Sequence, residues 1–150
     1  MSQANIETVR RWFEEVWNQR RGETIDELLG EESICHGDGS SLRGPTQFRQ
    51  QQFEPLINAF PDLHSSIDGI IGQGDEVVVR WSGTGHHTGA GLGIPPTGEQ
   101  IHLRGMTWIT VREGKLAEGF QYSNIRDVIK GLSEAANGTP RPPTLTSAPF

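Results

Sequence analysis

The chain has 150 residues, enough for one domain with one substantial core and too few for two. Hydrophobic residues make up only 33% and there are 19 glycines, so much of the chain must be turn, loop or tail. The formal net charge is -6 and Arg10-Arg11 and Arg20-Arg21 are the only adjacent basic pairs, which argues against a nucleic-acid surface, since phosphate binding needs clustered Lys and Arg. Cys35 is the only cysteine, so no internal disulfide forms and no oxidising compartment is required. Residues 1–16 carry charges throughout where a signal sequence would be apolar, and no run approaches the roughly 20 apolar residues of a membrane span. We therefore expect a soluble, cytoplasmic protein without nucleic-acid or membrane partners.

In chain order, Ile6, Val9, Phe13, Val16 and Trp17 recur at helical spacing between Glu, Arg and Asn, which predicts an amphipathic helix over residues 3–19. Thr24 and Glu27 have capping-box spacing ahead of Ile25, Leu28 and Leu29, with Gly30 as a stop, and predict a short second helix. Residues 31–36 read as a brief extended segment ending in the polar turn His36-Gly37-Asp38-Gly39. Gly44-Pro45 opens a third helix with an apolar face of Phe48, Phe53, Leu56, Ile57 and Phe60. Pro55 inside it predicts a bend or break near Gln51 and Gln52. Phe60-Pro61-Asp62 ends that helix, and residues 63–71 predict a strand leading to a turn at 72–75. Val77, Val78, Val79 and Trp81 make a strand running to about Gly85. Beyond the Gly- and Pro-rich loop 87–100, strands are expected over 101–111 and 115–123, joined by the turn Arg112-Glu113-Gly114. A helical turn over 124–132 completes the domain, taken as residues 1–132. Residues 133–150 are expected to be a Pro-rich, disordered or draped tail, because 137–150 holds four of the nine prolines and no periodicity. Three helices followed by a four-strand meander, with one short earlier strand, define an α+β class: helices on one face of a curved, mostly antiparallel sheet.

At Val79-Arg80-Trp81, then Gly85, His87 and Gly89, then Leu92-Gly93-Ile94-Pro95-Pro96-Thr97-Gly98, the chain resembles the SnoaL-like polyketide cyclase family of the nuclear-transport-factor-2-like superfamily. Trp17-Asn18, His36, Gly44-Pro45 and Phe60-Pro61-Asp62 extend the resemblance upstream, and Gly114-Lys115-Leu116 and Glu118 extend it downstream, so that it covers roughly residues 5–132. The resemblance implies a cone-shaped α+β barrel around a deep apolar pocket for a small hydrophobic ligand, a homodimer or higher oligomer, and no metal or organic cofactor. The best-known members close a ring by intramolecular aldol condensation, with a buried Asp as general acid/base, while others in the superfamily isomerise, dehydrate or hydrolyse epoxides. This chain departs from that pattern. Aligned on Gly114-Lys115-Leu116, the cyclase Asp falls on Gln121, which cannot exchange a proton near neutral pH. A second frequent Asp falls on Asn124, the preceding aromatic is Phe120, and the polar group on the neighbouring strand corresponds to Thr107.

Strand alternation sets Gly105, Thr107 and Ile109 on one face and His102, Arg104, Met106 and Trp108 on the other. With Thr107 toward the pocket, Arg104 is on the wrong face for an Asp-Arg-Asp epoxide-opening site, and the outward residues with Phe120 suggest a dimer surface. Gln121 is expected to face the pocket and orient a carbonyl or hydroxyl. His36 and His87 are the candidates for proton transfer, because histidine titrates near neutral pH. Each has a plain alternative: His36 capping its turn through Asp38, His87 fixing a strand end. Phe13, Trp17, Phe53, Phe60 and Trp81 are expected to wall the pocket or fill the core beside it. A metal site from His36, Asp38, His86 and His87 lacks specific ligand spacing, and nothing marks Cys35 as a nucleophile. Two functions stay open. One is a cofactor-free cyclase or isomerase in which His36 or His87 moves the proton while Gln121 and Thr107 orient the substrate. The other is a non-catalytic ligand-binding or accessory protein on the same scaffold.

Overall fold

Val77, Val79 and Trp81 alternate with more exposed residues, as do Ile101, Leu103, Gly105, Thr107, Ile109 and Val111, and the alternating members are buried on one face. In the computed structural model, which describes residues 2–138, these runs are β4 (Glu76–His86) and β5 (Gln100–Arg112), paired antiparallel along their length. β3 (His64–Gln73) adds to the free edge of β4, and β6 (Lys115–Ser123) to the free edge of β5. β1 (Leu29–Gly37) runs parallel to β6 and antiparallel to β2 (Ser40–Arg43). Among the described residues, six strands thus form one mixed, mostly antiparallel sheet in the order β2-β1-β6-β5-β4-β3. Register shifts between Ile67 and Gly69 and between Thr110 and Val111 bend it into an open cone.

Helices close the concave side. α1 (Ser2–Arg11) continues as a wider π-helical stretch, Trp12–Asn18, which turns Trp12, Phe13 and Val16 into the core. Trp12 joins the stripe that the sequence pattern assigned to Phe13 and Trp17. Asn18 fastens this segment to β3: its amide donates to the Ser65 carbonyl (3.0 Å) and its side-chain oxygen accepts the Ser65 N–H (2.8 Å). α3 (Gly44–Phe48), a π-helical stretch Arg49–Phe53 and α4 (Glu54–Ala59) form one interrupted helix. The interruption lies where the Pro55 argument placed it, and it takes the form of a widened turn instead of a break. The core cluster under these helices includes Val9, Val16, Phe60, Val77 and Val79, all with no exposed surface. Complete burial of one such aliphatic or aromatic side chain contributes about 1.5–3 kcal/mol.

The expected α+β class is the one observed, and four local expectations differ. α2 (Gly22–Leu28) starts earlier than the Thr24–Glu27 box, which does not form: the Thr24 hydroxyl donates to Glu15 (2.8 Å) and Glu27 pairs with Arg11. Gly30 does not stop a helix, because Leu29 already pairs with Leu116 on β6 and the strand begins there. The brief segment at 31–36 is part of a nine-residue strand, and the polar turn after it closes an unforeseen hairpin with β2. After β6, α5 (Ile125–Ala136) buries Val128 and Leu132 and runs four residues past the expected end. Residues 139–150 of the expected tail lie outside the described residues. Among those described, no helix is long and apolar enough to cross a membrane.

β1 and β6 lie close together at Gly37. A Cβ there would sit 2.1 Å from the Gln121 carbonyl oxygen, and Gly37 has φ 136°. Gly37→Ala is therefore expected to destabilise the fold by about 3 kcal/mol or more, combining an unfavourable backbone region with overlap against backbone. Gly74→Ala, at a turn with φ 59° and open space around it, is expected to cost only about 1 kcal/mol. Urea unfolding of the two variants checks the difference.

Candidate active site

The helices do not fill the concave face completely. A cavity of about 300 Å³ remains, with Trp12, Phe13, Trp17, Phe48 and Trp81 among its walls. This is at the lower end of the roughly 300–1,000 Å³ of small-molecule sites. A lobe of about 50 Å³ continues past Phe13, Trp17 and Gln121 toward Leu63 and Ser65.

Polar groups converge at one end of this aromatic chamber. The Trp81 indole N–H donates to the Thr107 hydroxyl (3.0 Å), which donates to the Gln121 side-chain oxygen (3.4 Å). The Gln121 amide nitrogen in turn donates to Oδ2 of Asp38 (3.0 Å). The chain of donors fixes the Gln121 amide, since flipping it would set its oxygen against a carboxylate. Asp38 also accepts the Ser123 hydroxyl (2.8 Å) on Oδ2 and the Ser123 N–H (3.1 Å) on Oδ1. Each group polarises the next, and the series ends on an acidic oxygen at the cavity wall.

Local structure puts Asp38 there. Gly37 faces Gln121 in the parallel β1–β6 register, and Gly37, Asp38 and Gly39 all have positive φ (136°, 51° and 92°). Gly adopts that region freely, and Asp is among the few other residues that tolerate it. The tight turn folds the carboxylate back over β6 instead of releasing it to solvent. Asp38 thus puts a carboxylate beside Gln121, which the sequence pattern does not foresee; the signal for it is the Gly-Asp-Gly turn.

Gln121, Thr107, Phe13, Trp17 and Trp81 all border the cavity. Phe53 and Phe60 do not: Phe53 packs on Trp17 (5.7 Å between rings), and Phe60 is buried against His87. His36 borders the cavity but pairs in register with Phe120, on the outward side of β6, and its ring stacks on that residue at 4.6 Å. Its nitrogens are occupied by Ser41 (3.1 Å) and Glu118 (2.9 Å). His87 does not line the cavity at all. It is wholly buried, and its Nδ1 accepts the Thr97 N–H (3.2 Å) and meets the Thr97 hydroxyl (3.0 Å), while its backbone pairs with Glu99 and Gly98. His87 is thus the anchor of the Ile-Pro-Pro-Thr-Gly loop and lies outside the cavity lining, whereas His36 borders the cavity with both ring nitrogens already engaged. Asn124 points to β5 instead, bonding the Arg104 N–H and the His102 carbonyl (both 2.9 Å).

Cys35 borders the cavity, and burial pushes its thiol up to about 11, which keeps it protonated and unreactive. Burial also lowers the pKa of His87. His36 is held by Glu118 and His86 by Asp62 (2.7 Å), so the imidazoles once considered together as metal ligands sit in separate places. Among the described residues, no group of three His, Cys, Asp or Glu is placed to hold a metal ion.

A curved sheet with helices over an apolar cavity of this kind defines a nuclear-transport-factor-2-like protein. The chain belongs to the SnoaL-like polyketide cyclase family, whose model matches residues 7–130. A protein from Jannaschia sp. CCS1, provisionally described as a SnoaL-like polyketide cyclase, is 25% identical with a TM-score of 0.79, covering 88% of this chain and 93% of its own. One from Acidithiobacillus ferrooxidans, provisionally described as a polyketide cyclase, is 26% identical with a TM-score of 0.73, covering 88% and 96%. An epoxide hydrolase of the LEH-like type from M. tuberculosis shares the fold at 16% identity and a TM-score of 0.66, covering 91% and 95%. No curated protein matches the chain.

The His87 environment sets a pH response. Its folded pKa lies below its unfolded one, so the unfolded chain takes up the proton first, and stability is full above about pH 6.5 and is lost as pH falls below it. Denaturant unfolding between pH 7.5 and 5.5 is expected to show this decline, and His87→Gln, although less stable at neutral pH, is expected to show a flatter one.

Proposed function

We propose that this protein is a cofactor-independent acid/base enzyme that forms an enolate from a small hydrophobic carbonyl compound, as the first step of a ring closure or isomerisation. The observation that carries the reading is the Asp38 carboxylate bonded to the Gln121 amide at 3.0 Å on the wall of an aromatic cavity. A carboxylate has about four lone-pair positions, and three donors leave Asp38 one with which to take a proton from the carbon next to the ligand carbonyl. Gln121 spends one amide hydrogen on Asp38, and its second is free for the oxygen on which negative charge develops. The protonated Asp38 then returns the proton, to another carbon in an isomerisation or to the new alkoxide in an aldol closure. Thr107 and Trp81 hold the amide in place. The aromatic walls suit a flat or polycyclic skeleton.

One observation favours the non-catalytic alternative: two of the donors on Asp38 come from Ser123 and would tie the turn to β6 even with no reaction to perform. A ligand-binding protein would keep that clamp. We place the protein in the cytoplasm, which suits a single, partly buried, unpaired cysteine. We also place a second copy of the chain against the outer sheet face, where Trp108 (51% exposed), Tyr122 (68%), Met106 and Phe120 form an apolar surface unusual for a monomer.

Deuterium uptake at the methyl group of acetylnaphthalene, followed by NMR, tests the chemistry. The wild type is expected to accelerate uptake, Asp38→Asn to lose about 10²–10⁴-fold of that rate, and His36→Gln to keep it. No acceleration by the wild type, despite binding of the ketone, favours the binding protein. For the assembly, sedimentation is expected to give twice the 16.5 kDa chain mass, and Trp108→Lys, paired with nearby Glu76, is expected to give the single mass.

A further inference from the structure

Gln52 has no part in the chemistry above. It lies in the widened stretch Arg49–Phe53, four residues after Phe48 and four before Leu56, and all three side chains border the cavity. Residues four apart share one face of a helix, so Gln52 is a polar side chain set in an inward stripe that is otherwise apolar. Widened turns of this kind recur at functional sites. Gln52 also borders the small lobe, and so does Gln121 from the sheet side, which sets the two amides at the junction of chamber and lobe. Its exposed neighbour Gln51 borders the chamber alone. The two junction amides differ in how they are held. Gln121 is bonded to Thr107 and Asp38, whereas among the described residues the Gln52 amide has no hydrogen-bond partner. Nor is it sealed off, as the hydroxyl of Ser33 and Nε2 of His87 are: Gln52 is only partly buried, and its amide keeps surface that another molecule can reach.

We propose that Gln52 is a ligand-binding residue that hydrogen-bonds an oxygen on the substituent next to the reacting carbonyl, where that substituent passes from the chamber into the lobe. With the carbonyl at Gln121, whatever is attached beside it meets the junction, and Gln52 is the amide left there to receive it. The ligand class becomes narrower. A lobe of about 50 Å³ has room for only a few heavy atoms. Leu56, Leu63 and Leu103 are among its walls, and among the described residues no charged side chain borders it. A carboxylate would lose its hydration there without a cation to replace it, so the oxygen is that of a neutral hydroxyl or carbonyl. The proposal rests on the Asp38 reading only for which carbonyl reacts; the contact itself stands on the unpartnered amide at the junction.

A matched pair of ketones tests it by binding, read from the fluorescence of the cavity tryptophans Trp12, Trp17 and Trp81. The probes are hydroxyacetylnaphthalene and propionylnaphthalene, which have the same shape and differ only in a hydroxyl against a methyl group beside the carbonyl. The wild type is expected to bind the hydroxyl compound about 3- to 10-fold more tightly. Gln52→Met, of similar length but without the amide, is expected to reverse the order in favour of the methyl compound, because the hydroxyl then enters an apolar lobe unpaired. The same variant is expected to keep the wild-type melting temperature, since it breaks no hydrogen bond within the protein. Asp38→Asn is expected to retain the wild-type preference. A protein with that preference but no deuterium uptake would lose the acid/base reading and keep this contact. The proposal is overturned if neither ketone binds, if the wild type prefers the methyl compound or neither, or if Gln52→Met retains the preference for the hydroxyl or weakens both ketones equally.

Discussion

The close parallel pairing of β1 with β6 at Gly37 and Gln121 is the constraint on which the site depends. Only a residue without a side chain fits against the Gln121 carbonyl, and only a chain able to take three consecutive positive φ values can turn back immediately afterwards. Those two conditions set the Asp38 carboxylate on the Gln121 amide and on Ser123 instead of in solvent. The cavity and the polar chain from Trp81 through Thr107 supply apolar volume and orientation, but without this turn they would end on an amide with nothing acidic beside it.

The residues that made the family legible in the sequence are mostly fold clamps. Asn18 ties the N-terminal helix to Ser65, Asp62 takes both the backbone and the ring nitrogen of His86, and His87 gathers the Pro-Pro-Thr-Gly loop around its Nδ1. Such contacts join segments a few tens of residues apart or fewer, and motifs at fixed spacing record them. The inward side of β5 was legible for a different reason: period-two alternation groups Thr107 with Gly105 and Ile109, and the resemblance identifies that face as the inward one. Asp38 was not legible in that way. Its partner Gln121 is 83 residues away, and the two meet through a parallel pairing that no local pattern announces. The two histidines are favoured by chemical type and by their place in the resemblance, but the ring nitrogens of His36 are engaged by Ser41 and Glu118, and His87 is drawn into the loop anchor.

By the resemblance, Gln121 falls where the cyclases carry their Asp, and in the proposed function the acidic role passes to Asp38, one hydrogen bond away. An amide at that position cannot transfer a proton, but it can hold a carboxylate on one hydrogen and a developing oxyanion on the other. A carboxylate at 121 would face Asp38 at hydrogen-bond distance and force the pair to share a proton. In the proposed function Gln121 and Asp38 act as one unit, with the donor on β6 and the base on the turn between β1 and β2.

The most direct test of that unit is a crystal structure with naphthol bound, a flat mimic of an enolate. The account predicts the naphthol oxygen within about 3 Å of both Asp38 and the Gln121 amide nitrogen, with the rings among Trp12, Phe13 and Trp81. An oxygen placed away from Asp38, with the carboxylate still shared between Ser123 and Gln121 alone, would contradict it and leave Asp38 as a clamp.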